Sequence, residues 1–399
     1  MAFFAPRLDR IKHSPIAAAT QRVRELQAQG RDIIGLTIGE PDFATPDNVK
    51  RAVVEAMARN ETRYTNADGT DELKEAVRTK FRRENGLDYA RDQVTIANGA
   101  KQIVFNAMMA TLTPGDEVLI PAPFWVSYLD MALLVDGTPK VIVCSEESGF
   151  KLTPAQLDAA ITPRTKWFVL NSPSNPTGAA YSRTELKTLA DVLLRHPQVW
   201  ILSDDIYEHL LFDDREFATI AQVEPRLFDR TLTVNGVSKT YSMTGWRIGY
   251  AGGPKELIRN MAKLQSQSTS NPCSISQAAA VEALTGPQEY VRMRALEFQQ
   301  RRDVVVAMLN AAPGLKCRTP DGAFYTYPSC AGALGSKTPN GKMLATEQDF
   351  VMYLLDNGVA SVQGETYGLS PYVRLSIATD LDTLKEACGR IQHACEALS

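Results

Sequence analysis

Lys239 sits among small and hydroxylic residues in the stretch Asn235 to Tyr250, which also holds Ser238, Thr240, Ser242, Thr244 and Arg247. The apolar run Thr231 to Val234 before it reads as a buried strand, and Arg247 heads a second apolar run. A lysine flanked by apolar strands and poor in neighbouring carboxylates is at least partly desolvated. Desolvation disfavours the ammonium form, which makes Lys239 a candidate amine nucleophile. The hydroxyls and the arginine could hold a phosphate close by. An amine nucleophile beside a phosphate cradle is what a pyridoxal phosphate (PLP) site needs. The plain alternative is a surface lysine in a Ser/Thr-rich loop, and spacing alone does not separate the two.

The elements that must position these residues alternate along the chain. Short apolar runs at 93–97, 117–120, 141–144, 167–170, 199–202 and 231–234 read as strands, with amphipathic helical patterns between most of them. Such alternation predicts a mostly parallel sheet covered by helices on both faces. In these sheets ligands bind outside the carboxyl ends of the strands. The residues there are Asn98, Gly99, Ala100 and Lys101, then Phe124, Trp125 and Tyr128, then Asn171 to Gly178, then Asp204 and Tyr207, then Ser238 and Lys239. One mouth would gather a phosphate cradle at a helix start, an aromatic plate, an amide, a carboxylate, a phenol and a lysine.

On the N-terminal side, Ser14 and Pro15 read as the cap and first residue of a helix. A strand is expected over 33–38, followed by a turn at Gly39. A helix opening at Pro46 puts Val49, Val53 and Met57 on one face, and Thr70 caps another that ends at Gly86. Helices are expected over 254–266 and 287–309, the latter with Val291, Leu296, Val304 and Leu309 as its apolar set. From about residue 315 a smaller α+β pattern follows: strands at 324–327 and 373–377, helices at 347–356 and 381–398, and a Gly-, Ser- and Lys-rich loop at 330–346. The expected division is a large domain over 46–290 and a small one made of 1–45 with 291–399.

Composition narrows the function class. The 399 residues are 44% hydrophobic and 22% charged, the balance of a globular enzyme. A net charge of -3 gives no electrostatic footprint for nucleic acid or an anionic membrane. No apolar run approaches a membrane span, and the start lacks a signal-peptide pattern. Six cysteines without a CxxC pair fit reduced thiols in the cytoplasm. Four scattered histidines have no metal-ligand spacing, so no metal is expected.

Four motifs in order carry a resemblance: Asn171 to Gly178 (NSPSNPTG), Ser203 to His209 (SDDIYEH), Ser238 to Tyr250 (SKTYSMTGWRIGY) and Tyr372 to Asp380 (YVRLSIATD). With them the whole chain resembles the class I aminotransferases of PLP-dependent fold type I, and within them the bacterial aspartate and aspartate/prephenate enzymes. The resemblance implies a seven-stranded, mostly parallel sheet between helices plus a smaller α+β domain. It assigns Lys239 the Schiff-base linkage to pyridoxal 5'-phosphate and Asp204 the pyridine nitrogen, which a carboxylate keeps protonated so that the ring accepts electrons. It places Tyr207 and Asn175 on the ring oxygen, Trp125 on the ring face, and Gly99, Ala100, Ser238 and Arg247 on the phosphate. Tyr64 would reach the phosphate of a neighbouring subunit, implying a homodimer with shared sites. Arg374 would bind the substrate α-carboxylate through its planar fork, with Gly39 in a segment that closes over the substrate.

The implied reaction is ping-pong transfer of an amino group between small amino acids and 2-oxo acids, with Lys239 as general base and acid. In resembling aspartate enzymes a lysine at the place of Lys101 meets the side-chain carboxylate, and a cation beside a positive helix end is mild evidence for an acidic ligand. An arm lysine, here Lys12, is linked to prephenate use. This chain departs from its relatives just there: they carry small hydroxylic residues after a Lys-Pro pair, where it reads Lys12-His13-Ser14-Pro15-Ile16-Ala17. Ile16 and Phe124 leave room for aromatic donors. Three rivals stay open: another PLP reaction such as β-elimination or decarboxylation, a PLP-binding regulator without turnover, and a phosphate-binding structural protein.

Overall fold

The structure is a computed structural model that describes residues 3–13 and 15–399. Pro15 begins the first long helix, Pro15–Ala28, while its expected cap, Ser14, lies outside the described residues. The expected strand over 33–38 shrinks to β1 (Ile34–Gly35). A central sheet then builds from β2 (Val94–Ala97), β3 (Glu117–Ala122), β4 (Thr138–Val143), β5 (Thr165–Asn171), β6 (Trp200–Asp204), β7 (Thr231–Gly236) and β8 (Gly249–Gly252). Its order is β2-β8-β7-β6-β5-β3-β4, and only β8 runs against its neighbours.

Alternation along each strand divides the core. Trp167 and Val169 of β5 pack with Leu202, Val234 and helices Ala100–Thr111 and Lys255–Ser266. Phe168 and Leu170 pack with Ile201 and helix Arg183–Leu194. Side chains two apart share a face, so both faces of the sheet are covered. Helix Asp71–Asn85 begins and ends as its sequence dictates: the Thr70 hydroxyl accepts the Leu73 N–H at 3.3 Å, and Gly86 closes it at φ +63°.

The C-terminal third forms a second core. Strands β9 (Tyr325–Thr326) and β11 (Val362–Gln363) flank β12 (Val373–Ser376), while β10 (Val359–Ala360) pairs with β1 in parallel. Helices Glu289–Ala311, Glu347–Asp356 and Leu381–Glu396 cover this core, which also takes in Leu36 and the segment Ile206 to Phe212 that follows β6.

Three local expectations need correction. Helix Ser274–Thr285 was not anticipated; its residues are mostly small, with no clear amphipathic stripe, because Ala279, Ala280 and Ala283 all pack closely against helices 47–58 and 71–85. In helix Asp47–Ala58 the buried partner of Val49 is Ala56 rather than Met57, which is 48% exposed. Seven residues come close to two full turns and eight overshoot them. In helix Glu289–Ala311, Leu296 is likewise 54% exposed, and Ala295 and Phe298 carry the contact instead.

Strand β8 depends on a missing side chain. A Cβ on Gly252 would lie 2.2 Å from the ring of Tyr89, which is fully buried and shares a hydrogen bond with Thr233 at 2.9 Å. Gly252→Ala is expected to destabilise the chain by about 1–3 kcal/mol through overpacking, read as a lowered urea midpoint with unchanged slope; an unchanged midpoint would contradict this packing.

Candidate active site

The strand ends converge on a cavity of about 430 Å³. Its lining brings together Lys239, Asp204, Tyr207, Asn175, Trp125, Ala100, Lys101, Ser238, Arg247, Gly39 and Arg374. The reversal of β8 explains Arg247. The strand starts where its neighbours end, with Gly249 opposite both Ala97 and Gly236. Arg247 therefore stands at the same mouth as Lys239, in a left-handed conformation, with Nη1 donating to the Thr244 carbonyl at 2.9 Å and Nη2 to that of Asn98 at 3.3 Å.

Gly99 lies behind this arginine rather than on the lining. Its φ is +85°, and a Cβ there would lie 2.3 Å from Arg247 Nη2. Gly249 is equally constrained, since a Cβ would lie 2.1 Å from the Ala100 nitrogen. Two glycines thus let the start of helix Ala100–Thr111 close onto the guanidinium. The result is a helix N-terminus and a fixed cation side by side, which suits a phosphate.

Lys239 is half-buried at the end of the loop after β7. Its Nζ donates to the Gly39 carbonyl at 2.6 Å and lies 6.0 Å from the centre of the Phe324 ring. Burial lowers its pKa to about 8; Glu40 and Asp204 oppose the fall, and Arg247 and Arg374 add to it. About a tenth of the amine is therefore free near neutrality, far more than for an ordinary lysine.

Asp204 ends β6 and is buried. It accepts the Tyr128 hydroxyl at 2.5 Å and the Ile206 N–H at 3.3 Å. Burial raises its pKa to about 6, against the pull of Tyr128, the Ile206 N–H and Lys239. The neighbouring strand end is tied to it: Asn171 Nδ2 donates to the Asp204 carbonyl at 2.9 Å, and Asn171 Oδ1 accepts the Asn175 N–H at 3.0 Å.

Arg374 comes from β12 and is 1% exposed. Nη1 donates to Asn175 Oδ1 at 3.1 Å and Nη2 to the Thr37 carbonyl at 2.5 Å. The rings of Tyr325 and Tyr367 lie 4.6 and 5.1 Å from its guanidinium carbon. Among the described residues no carboxylate pairs with it, and its Nε has no hydrogen-bond partner. Buried charges are normally paired. Lys101, at the cavity mouth, holds its ammonium 4.8 Å from the Trp125 ring centre; desolvation lowers its pKa, with Arg247 adding to the effect and Asp130 opposing it.

Two candidates from the sequence lie elsewhere. Lys12 is exposed and not on the lining, with its main-chain N–H and its charge facing Asp130. Tyr64 is 91% exposed, away from this chain's own cavity. Ile16 and Ala17 of the arm do reach the lining. Tyr325 was missed: its hydroxyl lies 2.9 Å from that of Tyr207, and a Cβ on Gly39 would lie 2.3 Å from it. The strand-end rule does not reach β9, which belongs to the other core. Tyr128 had the right place in sequence but no assigned partner.

A family model for aminotransferases of class I and II matches residues 31–391. The chain belongs to this family. It is 59% identical to the aspartate/prephenate aminotransferase of Cereibacter sphaeroides, over the full length of both chains. It is 57% identical to an aspartate aminotransferase of Rhizobium meliloti, over 99% of this chain and 97% of the other. Among solved structures, an aspartate aminotransferase from Rhizobium meliloti superposes with a TM-score of 0.98 at 56% identity, covering 100% of each chain. That of Thermus thermophilus with maleate does so with 0.92 at 41% identity, covering 99% of this chain and 100% of the other. The aminotransferase is thus built on the fold type I scaffold, and no helix among its described residues is long and apolar enough to cross a membrane.

The raised pKa of Asp204 has a consequence for stability. The folded chain binds this proton more tightly than the unfolded chain, where aspartates titrate near ~3.9. Asp204 therefore supports folding fully only below that range, and its contribution is lost as pH rises through about 6. Asp204→Asn is expected to stabilise the cofactor-free chain at about pH 8 by roughly 2–3 kcal/mol, with the gap closing towards about pH 4. Urea unfolding across that range measures it; a gap independent of pH would contradict the burial argument.

Proposed function

We propose that this aminotransferase works through PLP held over Lys239, with L-aspartate as amino donor and 2-oxoglutarate as acceptor. The observation that carries the substrate reading is the buried, unpaired guanidinium of Arg374 on a cavity whose mouth holds a second cation, Lys101. With Lys239 and Arg247 given to the cofactor, Arg374 and Lys101 are the lining cations left over, neither in an ion pair among the described residues, and such a pair suits a dicarboxylate. Aspartate, glutamate and their 2-oxo acids all carry two carboxylates.

When bound, PLP supplies the electron sink for the substrate α-carbon. Ser238, Arg247 and the start of helix Ala100–Thr111, which Gly99 allows to approach, would hold its phosphate. Trp125 would cover the ring face, Asn175 and Tyr207 would reach the ring oxygen, and Asp204 would keep the ring nitrogen protonated. Arg374 would grip the α-carboxylate and orient the substrate. Lys239 Nζ, whose low pKa leaves it partly unprotonated, would take the α-proton and return it. Gly39, packed against Tyr325, brings a carbonyl to the same amine.

The high exposure of Tyr64, a large aromatic residue, supports a homodimer in which this side chain completes the neighbouring site. The division into a large body over 46–290 and a small one of 1–45 with 291–399 belongs to the same proposal; a core for each supports it, although that of the small body also takes in residues 206–212. Six free cysteines, five of them buried, agree with a reducing cytoplasm. A second reading has its own support. Ile16 and Ala17 make part of the lining apolar, which gives room for a bulkier partner, prephenate as acceptor or an aromatic amino acid as donor. Lys12 would serve it only by moving onto the lining.

Lys239→Ala is expected to abolish transamination, whereas a cation that merely neutralised phosphate would leave turnover intact. Arg374→Ala should lower kcat/KM at least a hundredfold for every donor, the equivalent of about 3 kcal/mol. Lys101→Ala should lower it about tenfold for aspartate and glutamate but not for phenylalanine. A steady-state panel of aspartate, glutamate, phenylalanine and arogenate, with 2-oxoglutarate and prephenate as acceptors, measures all three. Equal losses for aspartate and phenylalanine in the Lys101 variant would sink the dicarboxylate reading.

A further inference from the structure

Beside the Lys239 loop lies a second polar cluster that is not on the cavity lining. Lys80, on helix Asp71–Asn85, is fully buried, with its ammonium against Glu208, 3.5 Å from Glu84, and donating to Asn85 Oδ1 at 2.7 Å. Glu208 also accepts Asn85 Nδ2 at 2.7 Å and Asn235 Nδ2 at 2.8 Å. Glu84, Glu208 and His209 bring their ligand atoms close enough together for a metal ion. Lys80 already supplies the cation there, so the cluster calls for no metal.

His209 is held at both ring nitrogens. Nε2 lies 3.0 Å from Glu84 Oε2, and Nδ1 lies 3.2 Å from Thr240 Oγ1. The other groups facing it are Glu208, with Oε1 3.6 Å from Nδ1, and the Tyr241 ring at 6.5 Å. Burial pushes the Glu84 carboxyl up, but His209 and Lys80, with help from Arg83, outweigh it and hold the group at about 2. Glu84, beside the Lys80 ammonium, only accepts as a carboxylate, so the contact with Nε2 calls for a proton on that nitrogen. In the neutral ring Nδ1 would then be bare, a place for the Thr240 hydroxyl 3.2 Å away to donate. Thr240 is 4% exposed and adjoins Lys239 in the chain.

We propose that His209 is a positioning residue for Lys239: fixed by Glu84 as the Nε2–H tautomer, it takes the Thr240 hydroxyl and pins the main chain that carries the amine. The chain of contacts runs from helix Asp71–Asn85, through the segment after Tyr207, to the loop after β7. It links the segment bearing Asp204 and Tyr207 to the one bearing Lys239 without touching the cavity. The basicity of Lys239 is set first by burial, so a loop released from this pin admits water and moves the amine back towards an ordinary lysine. The inference rests on the reading of Lys239 as the working amine.

The test is the pH profile of Lys239 acetylation by dilute acetic anhydride in the cofactor-free, full-length chain, quantified by peptide mass spectrometry. His209→Gln and Thr240→Val should each move the midpoint upward by about 0.5 pH or more, and the double variant no further than either alone. Thr240→Ser, which restores the hydroxyl, should keep the wild-type profile. The loaded His209→Gln and Thr240→Val enzymes should lose about tenfold in kcat with KM unchanged. Nitrogen NMR at about pH 8 should find the His209 proton on Nε2. An unmoved midpoint in Thr240→Val, strict additivity in the double variant, or a proton on Nδ1 would overturn the proposal. The Thr240 pair decides the matter even if His209→Gln does not fold. Labelling needs neither cofactor nor substrate, so variants that shift as described, in a chain whose wild type binds no PLP, would sink the PLP reading and leave the pin standing.

Discussion

The architecture around the cavity answers to one constraint: charges held out of water without counter-charges of their own. Arg374 is buried with an unused Nε, Lys239 has lost part of its basicity to desolvation, and Asp204 has gained a higher pKa for the same reason. Each condition opposes folding. Each persists because local dipoles compensate in part. Two carbonyl-type oxygens and two aromatic faces surround Arg374, the Gly39 carbonyl takes the Lys239 amine, and Tyr128 donates to Asp204. A ligand that carries a carboxylate for Arg374 and a cation for Asp204 relieves what the scaffold leaves unmet, so binding energy is available where the chemistry needs it.

The scaffold meets this constraint by dividing labour between two cores. The parallel strands deliver Asn171, Asp204 and Lys239 to one edge. The reversed strand β8 delivers Arg247 to the same edge from the opposite direction. The second core supplies Arg374 and Tyr325 and reaches back to pack on the segment that holds Tyr207. The Tyr207 and Tyr325 hydroxyls meet at 2.9 Å within that core, so the segment after β6 and strand β9 are tied together beside the cavity. Small residues set the distances. Gly39 packs on Tyr325, and Gly99 packs on Arg247, at separations a Cβ would forbid.

Much of this was visible in the sequence because the relevant rules are local. Each apolar run of four or five residues marked a strand, and the rule about carboxyl ends turned those runs into a set of site candidates. Lys239, Asp204, Tyr207, Asn175 and Trp125 were found that way, and the four motifs attached them to a family. The helix differences have a common cause. Helix Ser274–Thr285 buries small residues against other helices, so it carries no amphipathic stripe to detect. Ala56 for Val49 and Ala295 for Leu296 show the same limit, since a small residue in a close contact outranks a large one facing outward. Lys12 looked suited to the entrance by charge, but its distance from the lining depends on how the arm lies against Asp130.

By itself, then, the sequence determined the strand–helix alternation, the identity of the family and the chemical types gathered at the strand ends. Those follow from short-range periodicity and from residue types at fixed spacing. Only the tertiary structure decided which groups share the cavity. The reversal of β8 put Arg247 beside Gly99, and closure of the second core put Arg374 on Asn175, Tyr325 on Tyr207 and Gly39 on Lys239. These contacts join residues more than a hundred positions apart. Their geometry depends on how two cores pack together, and pKa values near 8 for Lys239 and 6 for Asp204 are products of that packing. Desolvation is a property of the space around a side chain, and that space exists only once the chain has folded.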